Sequence, residues 1–134
     1  MADTLAITGL LNRAGTAYDT GDLEFILDLF LEDSVFELVI AGNEPMVFAG
    51  KDNIRALFEG AHETQTDQRR HCITNIYFTD ETEESVTAVS NLILISVEEG
   101  ALTVLSSGVY TDTVVLVDGA WKLQRRHLHL DLPY

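Results

Sequence analysis

The second half of the chain is what constrains the fold. From Arg70 onward, strand-forming residues dominate in four long runs, about 70–79, 85–98, 101–117 and 120–130. Such runs are too long and too rich in β-branched residues for turns or short helices. The breaks between them are hairpin signals. Val117-Asp118-Gly119-Ala120-Trp121 holds an Asp-Gly pair, which supplies the positive φ of a tight turn, and Glu98-Glu99-Gly100-Ala101 is a weaker version. Successive strands joined by tight turns pair antiparallel, so this half predicts a four-stranded antiparallel sheet.

The first half supplies what covers it. Over residues 3–18, apolar positions recur at Ile7, Leu10, Leu11, Ala14, Ala17 and Tyr18, one face of a helix that Asp3 or Thr4 can cap. Asp19-Thr20-Gly21-Asp22 breaks it: Gly21 suits a left-handed C-terminal cap, and Asp22 can open a second helix over about 22–31. Ser34–Ile40 and Met46–Ala49 read as a hairpin around Ala41-Gly42-Asn43-Glu44-Pro45. Lys51–Ala61 reads as a third helix with Ile54, Leu57 and Phe58 inward, and Glu63–Arg69 as polar loop. Three N-terminal helices on one side of an antiparallel sheet give one α+β domain, and a strongly curved sheet closing over them would make a cone with its mouth between sheet and helices.

Charge removes several function classes. With 22 acidic residues against 8 Lys plus Arg, the net charge is −14. Such a surface repels phosphate backbones and anionic lipid, which disfavours nucleic-acid and membrane-surface roles. No run approaches the ~18 apolar residues of a membrane span, no signal peptide is evident, and the one cysteine, Cys72, suits a reducing compartment. The expected location is cytoplasmic.

One polar stretch stands out against this scaffold: Arg69-Arg70-His71-Cys72-Ile73-Thr74-Asn75, at the start of a strand. Histidine exchanges protons near neutral pH, and a carboxylate behind its second ring nitrogen would fix the tautomer. Asp19 is the candidate partner. A carboxylate at a helix C-terminus opposes the macrodipole, by about 0.3–1 kcal/mol, so a compensating partner is expected there. The plain alternative is a turn aspartate, common in sequences such as Asp-Thr-Gly-Asp. Alternation puts His71, Ile73, Asn75 and Tyr77 on one strand face and Cys72 on the other, so Cys72 and His71 form no nucleophile pair. Asn75 and Tyr18 are candidate ligand contacts, although Asn75 reads first as a residue bonding strand-edge backbone and the helical position of Tyr18 points it elsewhere. His127 and His129 share a strand face and could join His71 as a metal site. With nothing to fix the three in proximity, no metal is expected.

Taken in order, Tyr18-Asp19-Thr20-Gly21-Asp22, Leu29-Phe30-Leu31-Glu32-Asp33-Ser34-Val35-Phe36, Arg70-His71-Cys72-Ile73-Thr74-Asn75, Gly108-Val109-Tyr110-Thr111-Asp112 and Asp118-Gly119-Ala120-Trp121-Lys122-Leu123 leading to Arg125-Arg126 resemble SnoaL-like proteins of the nuclear-transport-factor-2-like superfamily. The resemblance covers almost the whole chain. It implies the cone-shaped fold, a deep apolar pocket and a homodimer or homotrimer. The branch with a histidine at this place includes scytalone dehydratase, bile-acid 7α-dehydratase and hexachlorocyclohexane dehydrochlorinase. By that resemblance His71 is the base, Asp19 its partner and Arg126 a pocket cation for developing negative charge, in a lyase or isomerase reaction on a small apolar molecule that uses no cofactor. Two positions depart from that branch: Ala14 stands where those enzymes carry lysine or tyrosine, and Leu94 lies in an apolar strand where the bile-acid enzyme has an acid. They leave open a binding protein without turnover, and the scaffold also serves as an assembly subunit in ring-hydroxylating dioxygenases.

Overall fold

A computed structural model describes all 134 residues. In chain order the elements are α1 (Thr4–Thr20), α2 (Leu23–Asp28), β1 (Phe30–Ile40), β2 (Met46–Ala49), α3 (Lys51–Thr64), β3 (Gln68–Thr79), β4 (Ser85–Glu98), β5 (Ala101–Val117) and β6 (Ala120–Leu130). All strands join one curved six-stranded sheet in the order β2-β1-β6-β5-β4-β3. The four long strands run antiparallel to one another as expected. The sheet as a whole is mixed, because β1 lies parallel to β6. That pairing joins the chain's two halves, and no tight turn in the sequence announces it.

Local chemistry sets the element ends. The Asp3 carboxylate accepts from the Ala6 amide at 3.0 Å and caps α1. At the other end Gly21 adopts φ 75°, and its N–H donates to the Ala17 carbonyl. Asp22 caps α2 through the Phe25 amide. The second helix is shorter than its apolar pattern suggests. The Leu29 carbonyl already accepts from the Leu123 amide at 2.6 Å, and Phe30 pairs with Leu123. The fully buried Ser34 holds the irregular start of β1, donating to the Leu123 carbonyl and accepting from Leu31 N–H. Sheet pairing there overrides helical periodicity.

The core lies between the helices and the concave face of the sheet. Ile7, Leu11, Ile26, Ile54, Phe58, Leu92 and Leu123 are among its buried members. One glycine is decisive for how helix and sheet meet. A side chain at Gly15 would meet the His71 carbonyl at 2.9 Å and Ile73 Cγ1 at 3.2 Å, so its absence lets the backbone of α1 lie directly on β3. The last turn of α1 is thereby pressed against the first residues of β3. No helix is long and apolar enough to cross a membrane.

Candidate active site

α1 continues through Thr20, so Asp19 sits in its last turn and not in the connection to α2. From there its side chain reaches β3. Asp19 Oδ1 lies 2.7 Å from His71 Nδ1 and also accepts the His71 backbone N–H at 2.9 Å. One carboxylate oxygen thus fixes both the strand and the ring, with Asp19 8% and His71 15% exposed. An ionised carboxylate only accepts, so Nδ1 carries the hydrogen and Nε2 keeps its lone pair free. The ring stacks on Tyr18, centroids 5.1 Å apart, and Tyr18 meets Phe58 edge-on at 5.2 Å.

His71 and Tyr18 line a cavity of about 110 Å³ between α3, the start of α2 and the concave face of the sheet. Phe36, Leu38, Leu57, Phe58, Leu128 and Leu130 make its apolar wall. His62, Gln65, Arg69, Tyr110 and Tyr134 supply the remaining polar groups. Tyr18 therefore faces the cavity, contrary to the direction read from its helical position: α1 lies so close to β3 that its last turn overhangs the sheet.

Arg126 does not line the cavity. It is 1% exposed and lies one layer deeper, its Nε and Nη2 donating to the two oxygens of Asp112 at 3.0 and 3.3 Å. Its guanidinium lies 3.7 Å over the Tyr110 ring, and Nη1 reaches the Tyr18 hydroxyl at 3.4 Å. The reason is a register shift. Next to the Asp118-Gly119 turn, Val114 faces Leu123; beyond a bulge between Thr113 and Val114, Asp112 faces Arg126 where an unbroken ladder would give Arg125. Burial pushes the Asp112 carboxyl up, with the Arg126 charge opposing it. For Arg126, burial works against the charge, but the Asp112 carboxylate together with Tyr18 and Tyr110 raises the pKa. Burial likewise raises the Tyr18 and Tyr110 hydroxyls, so both remain protonated at neutral pH. Since Tyr18 accepts from Arg126, its own proton is free to point into the cavity.

Asn75 is also not brought to the site. A bulge between Thr74 and Tyr77 puts Asn75 at φ 55°, exposed, and reverses the facing of the residues beyond it. Tyr77 is consequently 56% exposed, while Ile76 and Phe78 pack inward. His127 and His129 occupy the β6 face opposite Leu128 and Leu130. They approach Glu37 at 3.2 Å and Asp131 at 3.8 Å, so they do not converge with His71. Ala14 and Leu94 are fully buried and neither lines the cavity. Arg125 pairs with Glu37 on the surface.

Several cavity residues are not apparent from the sequence. A third helix ending at Ala61 would leave His62 and Gln65 in polar chain beyond it, yet α3 runs one turn further. The signal is present, because Ile54, Leu57, Phe58, Ala61, His62 and Gln65 continue a single 3.6-residue stripe. Tyr134 carries no signal at all, and only the fold sets its ring 4.9 Å from the Arg69 guanidinium.

A helical layer over one curved mixed sheet is the nuclear-transport-factor-2-like architecture. The chain belongs to the SnoaL-like domain family, whose profile matches residues 1–127. Among solved structures it is similar to a nuclear-transport-factor-2-like protein with a cystatin-like fold from Novosphingobium aromaticivorans (TM-score 0.80, 23% identity, 96% of this chain and 81% of the other). A second, from the same organism and provisionally assigned as a scytalone dehydratase, gives a TM-score of 0.77 at 29% identity over 96% and 83%. A third, from Catenulispora acidiphila in complex with S-DNPA, gives 0.78 at 26% over 93% and 90%. No curated protein matches the chain.

Proposed function

We propose that the protein is a lyase or isomerase of the dehydratase type that acts on a small, largely apolar carbonyl compound with protein groups alone. The observation that carries this reading is the 2.7 Å His71–Asp19 contact opening onto an apolar cavity. His71 Nε2 takes the proton from a carbon next to the carbonyl, and Asp19 stabilises the imidazolium that forms. The Tyr18 hydroxyl donates to the carbonyl oxygen as negative charge builds there, and Arg126 stabilises that charge through Tyr18 and not by contact. The cavity approaches the ~150 Å³ known to hold benzene, which suits a ligand of about one ring. The 29% identical neighbour provisionally assigned as a scytalone dehydratase supports this class of chemistry, and the ligand-bound neighbour supports a small-molecule site on this fold.

A binding role without turnover is the second reading, favoured by one feature: the deep cation is already committed to Asp112. The two readings separate by experiment. A thermal-shift panel of one- and two-ring ketones identifies binders, and turnover is then followed with wild type and His71→Ala. The enzyme reading expects His71→Ala to bind the same compounds while product formation drops to background. Equal turnover by both proteins refutes it.

The partner expected for the fold is a second copy of this chain, docked through the outward face of the sheet. Ile93, Val97, Leu102 and Val104 are 40–70% exposed there. Of 22 acids, β3 to β6 carry only Glu98 and the buried Asp112, so two copies can approach on this face despite their net charge. Sedimentation of wild type as a dimer or trimer and of Val104→Lys as a monomer is the expected outcome; monomeric wild type excludes it.

A further inference from the structure

His62 stands apart from the His71–Asp19 pair, and it belongs to the same cavity. It occupies the last turn of α3 and is exposed. Its ring lies against the backbone of Gly21: a Cβ there would come within 2.6 Å of His62 Cε1 and 3.0 Å of Nε2. Gly21 lies two residues beyond Asp19. The C-terminal turn of α1 therefore holds one imidazole by its carboxylate and packs a second against its capping glycine. Tyr18, which stacks on His71, lies in the same turn. Both imidazoles thus line one ligand space. His71 is tied at Nδ1 to a carboxylate, whereas His62, in the last turn of α3, has no carboxylate partner.

We infer that His62 is the general acid of the site and delivers a proton to the oxygen leaving group, while His71 acts on the carbon from its own place in the same cavity. The inference rests on the proposed acid–base reading and extends it to a residue with its own role. For a β-hydroxy ketone the step balances without an oxidant or reductant. His71 Nε2 accepts the proton from the α-carbon, and the C–H electron pair becomes the new C=C bond. The C–O pair departs on oxygen, and that oxygen takes the imidazolium proton of His62 and leaves as water. One proton passing from His71 to His62 through solvent restores the starting state. Hydroxide is a poor leaving group, so protonation of this kind is worth roughly 10²–10⁴ in rate. A leaving group that departs as a stable anion has no such need.

The test uses that contrast with two probes of one-ring size, 3-hydroxycyclohexanone and 3-acetoxycyclohexanone, which eliminate water and acetate to give the same enone. In His62→Gln the ratio of water elimination to acetate elimination is expected to fall by about 100-fold or more from its wild-type value, while uptake of solvent deuterium at C2 persists. An unchanged ratio, whether through loss of both reactions or retention of both, overturns the assignment. His71→Ala separates this from the underlying reading, because there deuterium uptake at C2 disappears for both probes. If uptake survives in His71→Ala, or wild type accelerates neither elimination, the acid–base reading of the cavity fails first and the His62 role falls with it.

Discussion

Replacing Asp112 by asparagine removes one charge from the most deeply buried ion pair in the molecule while keeping the shape of the side chain. Asp112 is 0% exposed and Arg126 1%, and the carboxylate takes two of the guanidinium's hydrogen bonds, at 3.0 and 3.3 Å. Truncating one member of such a pair leaves the other as an uncompensated buried charge, at a cost of about 3–5 kcal/mol. Unfolding entropy near 2.1 cal/mol/K per residue gives about 0.28 kcal/mol/K for 134 residues, so the expected fall in Tm is about 11–18 °C. Circular dichroism melts with matched urea titrations measure both quantities. Replacing the two residues together, as Asp112→Leu with Arg126→Met, removes both charges and is expected to recover most of the loss. That double variant also deprives the Tyr18 hydroxyl of its donor, so turnover should remain depressed after stability returns. A single-variant loss below about 1 kcal/mol, or a double variant no better than the single, refutes the view that Arg126 is locked to Asp112 as a structural cation.

Two further expectations rest on other contacts. A side chain at Gly108 would approach the His129 carbonyl at 2.4 Å, backbone against backbone across β5 and β6, so Gly108→Ala should cost roughly 1–3 kcal/mol in urea denaturation. Asp67 is pushed up by partial burial, but the Ser96 hydroxyl and the Arg69 guanidinium together hold its pKa below the ordinary 3.8. Its folded pKa is thus below the unfolded one, so its contribution is complete above about pH 4 and is lost as pH falls through the folded value. The stability gap between wild type and Asp67→Asn should accordingly be widest near neutrality and close on acidification, which urea midpoints across the acid range measure.

The parts of the fold that are legible in the sequence are those that local chemistry decides. Gly21 and Asp22 mark a helix end and a helix start wherever they sit in the fold, and Asp118-Gly119 forces its hairpin. The parts that are not legible depend on long-range pairing. Bulges in β3 and before Val114 each shift a register by one residue, which turns Asn75 and Tyr77 outward and matches Asp112 with Arg126. No residue-level pattern announces a one-residue slip, yet it reverses every facing beyond it. The same limit applies to Tyr18, whose helical position predicts the wrong direction unless the close approach at Gly15 is known. Asp19 and His71 are paired by resemblance, with only the macrodipole argument pointing to a partner from physics. His62 is within reach of sequence reasoning once the stripe of α3 is extended by one turn.

Central to the proposed chemistry is His71 acting as a base through Nε2. Proton NMR of cyclohexanone in deuterated buffer measures this without knowledge of the natural substrate, because removal of a proton next to the carbonyl is read as deuterium uptake. Wild type is expected to accelerate uptake above buffer, with Asp19→Asn slower by about 10²-fold or more and His71→Ala at the buffer rate. Uptake in His71→Ala equal to wild type would contradict a catalytic role for the pair.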